Sequence, residues 1–239
     1  MSATDTYTRR RGEIEHYFDR TAADTWARLT STAPVSRVRA TVRAGRDRMR
    51  DTLLAWLPAD LTGQRVLDAG CGTGSFALEL ARRGAQVLAI DLSPQLVGVA
   101  RERCLAQLAA EDAPGTIDFR SGDMLDPALG QFDHVVAMDS LIHYRTADAV
   151  QVLAALASRT QGSMLVTFAP ASPLLWTFYA AGKLFPRSDR SPAIVPVAEQ
   201  RLQRAVEAHD GLRDWRLHGT RRVASGFYTS QAYRLVRPL

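Results

Sequence analysis

The chain has 239 residues, 46% hydrophobic, 8% aromatic and 23% charged, with 16 glycines and 11 prolines. That apolar share fills one sizeable core and excludes disorder over most of the chain; the length suits one α/β domain with appendages, or at most two small domains. The net charge is +5, with Lys183 the one lysine among 30 basic residues, but no clustered basic run is interleaved with aromatics. Nucleic acid is therefore not an expected partner, which leaves an acidic small molecule or an anionic membrane surface.

The N-terminus, Met1–Phe18, lacks the apolar centre of a secretory signal, and no run approaches the roughly 20 apolar residues that span a bilayer. Cys71 and Cys104 cannot build a disulfide framework. The expectation is a cytoplasmic protein in a reducing compartment, with membrane contact at most peripheral. Residues from about Glu13 to Leu57 read as helices: Ile14, Tyr17 and Phe18 recur at helical spacing, as do Met49, Leu53 and Trp56. Pro34 divides them and Pro58 ends the second. An N-terminal helical cap over residues 1–60 is thus expected ahead of a main domain over 61–239.

From there short apolar runs alternate with helical stretches. Arg65–Ala69, Gln86–Ile90, Thr116–Arg120, Phe132–Met138 and Ser163–Phe168 read as strands, and Phe76–Arg83 and Asp148–Ser158 as helices. Ser93-Pro94 supplies an N-cap and a first-turn proline for another helix running to about Ala110. Such alternation implies a mostly parallel sheet with helices on both faces. Leu212–Thr220 and Gly226–Arg237 have turn residues and no helix between them, and read as an antiparallel hairpin at the sheet edge. Residues 170–196 hold five prolines and an apolar run, Leu174–Tyr179, and read as an insertion beside the site.

The strongest motif is Val66-Leu67-Asp68-Ala69-Gly70-Cys71-Gly72-Thr73-Gly74, leaving a strand and opening a helix. Its glycines permit a tight turn and close approach of a ligand to the backbone. A dinucleotide fingerprint would need Gly or Ala where Ser75 stands. Asp68 would repel a pyrophosphate yet accept a hydrogen bond from a ligand ammonium group, which points to S-adenosylmethionine. Asp91 follows Gly74 by 17 residues at the end of the next strand, the place of a carboxylate that takes ribose hydroxyls. Gly122-Asp123-Met124 follows the third strand, placed to contact the adenine edge. His143 lies beyond the carboxyl end of the fourth strand, where ligand chemistry gathers in open α/β sheets. His134 lies within that strand and reads as a satisfied structural histidine. No pair among His16, His134, His143, His209 and His218 has ligand spacing, so no protein metal site is expected.

Val66–Gly74, Asp91, Gly122–Asp123 and Phe132–Ser140 resemble the motifs of class I S-adenosylmethionine-dependent methyltransferases. The resemblance implies a Rossmann-like seven-stranded sheet with an antiparallel last hairpin. It also implies cofactor contacts from Asp68, Gly70, Cys71, Gly72, Gly74, Asp91, Leu92, Ser93, Gly122, Asp123, Met124, Met138 and Asp139. Further runs are more specific: Tyr17-Phe18-Asp19, Trp26, Val42–Arg46, Asp139–Tyr144 and Thr167–Pro170 resemble the magnesium-protoporphyrin IX O-methyltransferase family, particularly its purple-bacterial form.

This second resemblance implies methylation of a propionate of magnesium protoporphyrin IX, release of S-adenosylhomocysteine, and magnesium only as part of the substrate. It implies a catalytic role for His143 and hand-over of substrate by the large subunit of magnesium chelatase. Oxygenic relatives usually carry a functional tyrosine shortly after the equivalent of Trp26, where Thr30 stands here; either Tyr17 or Tyr144 takes that role, or this branch does without it. A flat apolar disc edged by carboxylates calls for aromatic cover and guanidinium groups, for which Trp176, Phe178, Tyr179 and Phe185 and then Arg43, Arg46 or Arg187 are candidates, with Tyr144 on the substrate side. The alternatives are a methyltransferase for another small carboxylate, phenol or quinone, a nucleotide-binding regulator, and an NAD-dependent dehydrogenase, the last disfavoured by Asp68 and Ser75.

Overall fold

The computed structural model describes residues 3–17, 37–171 and 194–238. Two helices, α1 (Ala3–Tyr17) and α2 (Arg37–Leu54), precede β1 (Arg65–Ala69), α3 (Ser75–Arg82), β2 (Gln86–Asp91), α4 (Pro94–Glu111), β3 (Thr116–Ser121) and β4 (Phe132–Ala137). Then come α5 (Thr146–Ala157), β5 (Thr160–Phe168), α6 (Glu199–Glu207), β6 (Arg216–Ser225) and β7 (Tyr228–Val236). The seven strands form one sheet in the order β3-β2-β1-β4-β5-β7-β6. β1 to β5 are parallel; β7 runs antiparallel to both β5 and β6.

Alternation along each strand sorts the core into two layers. Leu67, Leu88, Val135, Met164 and Tyr233 face one side, packed with residues of α1, α5 and α6. Val66, Val87, Val136, Leu165 and Ala232 face the other, packed with α2, α3 and α4. The central strands are buried on both faces, as their continuous apolar runs require. Ser93 caps α4, its Oγ accepting from the Leu96 amide at 3.2 Å, with Pro94 in the first turn.

Most boundaries fall within a residue or two of the sequence reading; the larger differences are these. α1 begins at Ala3 rather than near Glu13; its early turns carry few apolar residues, so hydrophobic periodicity does not mark them. β5 begins at Thr160, whose first residues are polar. The hairpin turn falls at Gly226-Phe227, carrying β6 to Ser225. α6 is an additional short helix that buries only Leu202 and Val206. Pro34, Thr30 and the run Leu174–Tyr179 lie outside the described residues.

α2 lies against the hairpin so closely that Gly45 has no room for a side chain: a β-carbon there would sit 2.5 to 2.8 Å from Cδ1, Cγ and Cβ of Tyr228. The nearest of these atoms to the backbone cannot swing aside. Gly45→Ala should therefore lower stability by about 1–3 kcal/mol through overpacking, read as a fall in urea midpoint at constant slope; an unchanged midpoint would contradict the close contact.

Candidate active site

The carboxyl ends of the parallel strands, with the hairpin and the two N-terminal helices, enclose one cavity of about 430 Å³. It opens where strand order reverses between β1 and β4, the usual ligand crevice of an open α/β sheet. Gly70 and Gly72 line it from the β1 loop, Asp91 and Leu92 from β2, Gly122 and Met124 from β3, and Met138, Asp139, Ser140, His143 and Tyr144 from β4. Tyr17 of α1 and Arg46 of α2 close the remaining side.

The β1 loop is held rigidly. The amides of Gly70 and Cys71 both donate to the Ile90 carbonyl, at 2.8 and 3.0 Å. Asp91 accepts from the amides of Gly72 at 2.8 Å and Ser93 at 3.0 Å. Gly70 has a φ of +86°, and a β-carbon there would lie 2.4 Å from Cβ of Ser140, so the β1 and β4 loops meet backbone to side chain. Burial pushes the Asp91 carboxyl above its ordinary range, against the pull of three amides.

Asp68 lies beneath this loop, 2% exposed. Burial, and then the nearby charge of Asp91, raise its carboxyl to about 7, opposed by the Ala77 amide and by Arg46. Among the described residues its Oδ2 has no hydrogen-bond partner, and neither has the buried Ser140 Oγ. Buried polar atoms are almost always paired, so an orphaned acceptor and an orphaned hydroxyl beside Gly70 are suited to a ligand with an ammonium and a carboxylate. Asp68 and Ser140 thus fit the amino-acid end of S-adenosylmethionine, and the Asp91 carboxylate on the cavity wall has the chemistry to take ribose hydroxyls.

Other predicted site residues stand behind the wall. Cys71 is buried, its thiol pushed well up by desolvation, and Gly74 packs on Cys104 and Ala100. Ser93 is fully buried as the helix cap. Asp123 is turned toward α1, where Tyr7 and Arg11 take its two oxygens. Arg43 lies on α2 outside the cavity lining, and Trp176 and Tyr179 fall outside the described residues. His134 binds Ser163 Oγ and Gln64 Oε1, each at 2.8 Å, as a structural histidine does. No group of three or more His, Cys, Asp or Glu among the described residues is arranged to hold a metal ion.

Asp139 has a neighbourhood that sequence reasoning did not foresee. It adopts φ +56° just past β4 and accepts from Arg46 Nη1 at 2.7 Å, Tyr228 Oη at 3.1 Å, Thr167 Oγ1 at 3.2 Å and Ser230 Oγ at 3.3 Å. Arg46, expected to clamp a propionate, is thus anchored on Asp139 while still lining the cavity. Phe227, at the hairpin tip, is 66% exposed and also lines the cavity; the turn residues hinted at the hairpin but not at its approach to the site.

A parallel sheet in this order, with a glycine loop after β1 and a carboxylate after β2, defines a class I S-adenosylmethionine-dependent methyltransferase, and a profile described as a methyltransferase domain matches residues 66–161. A second profile, the magnesium-protoporphyrin IX methyltransferase C-terminus, matches residues 137–237. A magnesium-protoporphyrin O-methyltransferase of Rhodobacter capsulatus is 53% identical over 226 residues, covering 94% of this chain and 96% of that protein. One from Synechocystis sp. is 32% identical over 94% of this chain and 95% of its own length. The crystal structure of magnesium protoporphyrin IX methyltransferase from Synechocystis PCC 6803 with bound SAH superposes with a TM-score of 0.79 at 30% identity, over 94% of this chain and 98% of that one. The chain belongs to the magnesium-protoporphyrin O-methyltransferase family.

The buried carboxyl gives a pH test. The folded Asp68 holds its proton more tightly than an unfolded aspartate. Its contribution to stability is therefore complete below about pH 4 and lost as pH rises through about 7. Without ligand, Asp68→Asn should remove a loss on the order of a few kcal/mol from the pH 4–8 stability profile, followed by urea unfolding; an unaltered profile would contradict the assignment.

Proposed function

We propose that this chain methylates a propionate carboxylate of magnesium protoporphyrin IX with S-adenosylmethionine, forming the monomethyl ester in (bacterio)chlorophyll biosynthesis. The observation that carries it is one cavity lined by both Asp91 and His143, in a chain alike over nearly its whole length to enzymes of that name. When bound, the cofactor supplies an electrophilic methyl group on a sulfonium centre. Asp91 and the β1 loop orient its nucleoside, and Asp68 and Ser140 meet its amino-acid end.

A propionate has an ordinary pKa near that of glutamate, about 4.3, and reaches the site already ionised. No general base is needed to activate it. The protein's part is to align and desolvate the carboxylate, for which positioning can supply roughly 7–11 kcal/mol. His143, buried on the cavity wall, is placed to hold the reacting carboxylate or to remove its proton if burial keeps it protonated. Arg46, fixed on Asp139, adds positive charge on the acceptor side.

Two finer proposals accompany this reading. Hand-over of the substrate by the large subunit of magnesium chelatase is what the family resemblance implies. Peripheral membrane contact is supported by the apolar run Leu174–Tyr179; no helix among the described residues is long and apolar enough to cross a membrane.

The direct assay incubates the chain with methyl-labelled cofactor and magnesium protoporphyrin. Label in the porphyrin monomethyl ester is expected, and label appearing only with a phenol or quinone acceptor would overturn the reading. Asp91→Ala should weaken binding of S-adenosylhomocysteine about 10- to 100-fold, the worth of hydrogen bonds to a charged group; unchanged affinity by calorimetry would refute the ribose assignment. His143→Ala should cut turnover roughly 10²-fold or more, the cost of misplacing a reacting group, with near-normal cofactor affinity. A full rate in that variant would make His143 structural.

A further inference from the structure

One face of α1 is turned entirely toward the site. Tyr7, Arg10, Arg11, Ile14 and Tyr17 recur at steps of three and four, which align side chains along one side of a helix. Ile14 and Tyr17 line the cavity. The preceding turn reaches two different loops. Tyr7 Oη donates to Asp123 Oδ1 at 2.7 Å and Arg11 Nη1 to Asp123 Oδ2 at 2.6 Å, so the loop after β3 is held from α1. Arg10 Nε donates to the His143 carbonyl at 2.8 Å, and the Tyr7 ring stacks on Tyr144 with centroids 5.3 Å apart and planes 22° from parallel. The loop after β4 is therefore held by the same turn.

His143 depends on such outside support. It ends a three-residue 3-10 turn, Leu141–His143, a form whose own hydrogen bonds are poorly aligned. Its carbonyl stands at the turn's C-terminal end, where a regular helix would leave it unmatched, and a guanidinium is a strong partner for it. Another tie to the turn is the Val195 amide, which donates to the Ile142 carbonyl at 2.8 Å.

We propose that α1 is the positioning element of the active site and does two separable jobs. Arg10 sets the place of His143 for the acceptor, whereas Tyr7 and Arg11, through Asp123, set the Gly122–Met124 loop for the cofactor. None of the three contacts the reacting atoms; each acts through the loop residue it holds. The inference rests on the assignment of the β3 loop to the cofactor and of His143 to the acceptor.

The test uses the full chain, with calorimetry of S-adenosylhomocysteine and single-turnover methylation of magnesium protoporphyrin at saturating cofactor. Arg10→Ala should slow methyl transfer about tenfold with affinity for S-adenosylhomocysteine within about twofold, and Arg10→Lys should recover part of the rate. In the His143→Ala background, Arg10→Ala should cost little more, because residues acting through one another are not additive. Arg11→Ala should show the opposite split, a cofactor affinity about tenfold weaker with the saturated rate within about twofold. Should Arg10→Ala melt below the assay temperature, Arg10→Gln gives the same reading with the side chain's length nearly kept. Equal rate losses from Arg10→Ala in both backgrounds, or variants of Arg10 and Arg11 that lower affinity and rate together, would overturn the proposal. A wild-type chain that binds S-adenosylhomocysteine but does not methylate the porphyrin would overturn the assigned function and this inference with it.

Discussion

Four donors from three elements converge on one carboxylate at the end of β4. Arg46 of α2, Thr167 of β5, and Tyr228 and Ser230 of β7 all bind Asp139, whose side chain is only 6% exposed. A buried charge pair with further hydrogen bonds adds little over an apolar contact when complete, but removing one partner strands the other, at about 3–5 kcal/mol. The left-handed turn at Asp139 is one that aspartate tolerates better than most side chains. Fixing that residue fixes the floor of the cavity: Ser140 against Gly70 on one side, the Leu141–His143 turn on the other. The loop after β4 is thus fixed by the protein itself, the kind of fixed geometry that the proposed alignment of the carboxylate calls for.

The cavity carries charges of both signs. Asp91 and Arg46 both line it, and the carboxyl of Asp68 behind the β1 loop is raised by burial and then by the charge of Asp91, and lowered by that of Arg46. A cofactor carrying sulfonium and ammonium charges suits the acids and a propionate the guanidinium. The paired acids explain why the β1 loop carries an aspartate where a pyrophosphate-binding loop would avoid one. Desolvation raises that aspartate's carboxyl to about 7, so it holds its proton more readily than an ordinary aspartate.

What could be read from the sequence was what is local. The glycine loop, the carboxylate at the end of β2, the helix cap at Ser93 and the alternation that builds a parallel sheet are all written within a few residues of one another. The last hairpin was visible through its turn residues, although its register was not. The interactions that complete the site are of another kind. Tyr7 meets Asp123 across 116 positions, Arg46 meets Asp139 across 93, and Tyr228 meets Asp139 across 89. Such pairs leave no periodicity, and α1 was recognised only in its last turns because its inner face works through tyrosine and arginine rather than aliphatic side chains. Asp123 and Asp139 were picked out for the cofactor by their motifs; their carboxylates bind protein donors, and only the fold could show it.

The proposed function requires that the crevice between β1 and β4 hold a sulfonium nucleoside with its methyl directed at His143. A crystal structure of the chain grown with S-adenosylhomocysteine tests it most directly. Ribose hydroxyls are expected on the Asp91 carboxylate, the amino-acid end over Asp68 and Ser140, and the sulfur open toward His143. A ligand seated elsewhere, or a nucleoside whose sugar avoids Asp91 and whose sulfur faces away from the β4 loop, would contradict it.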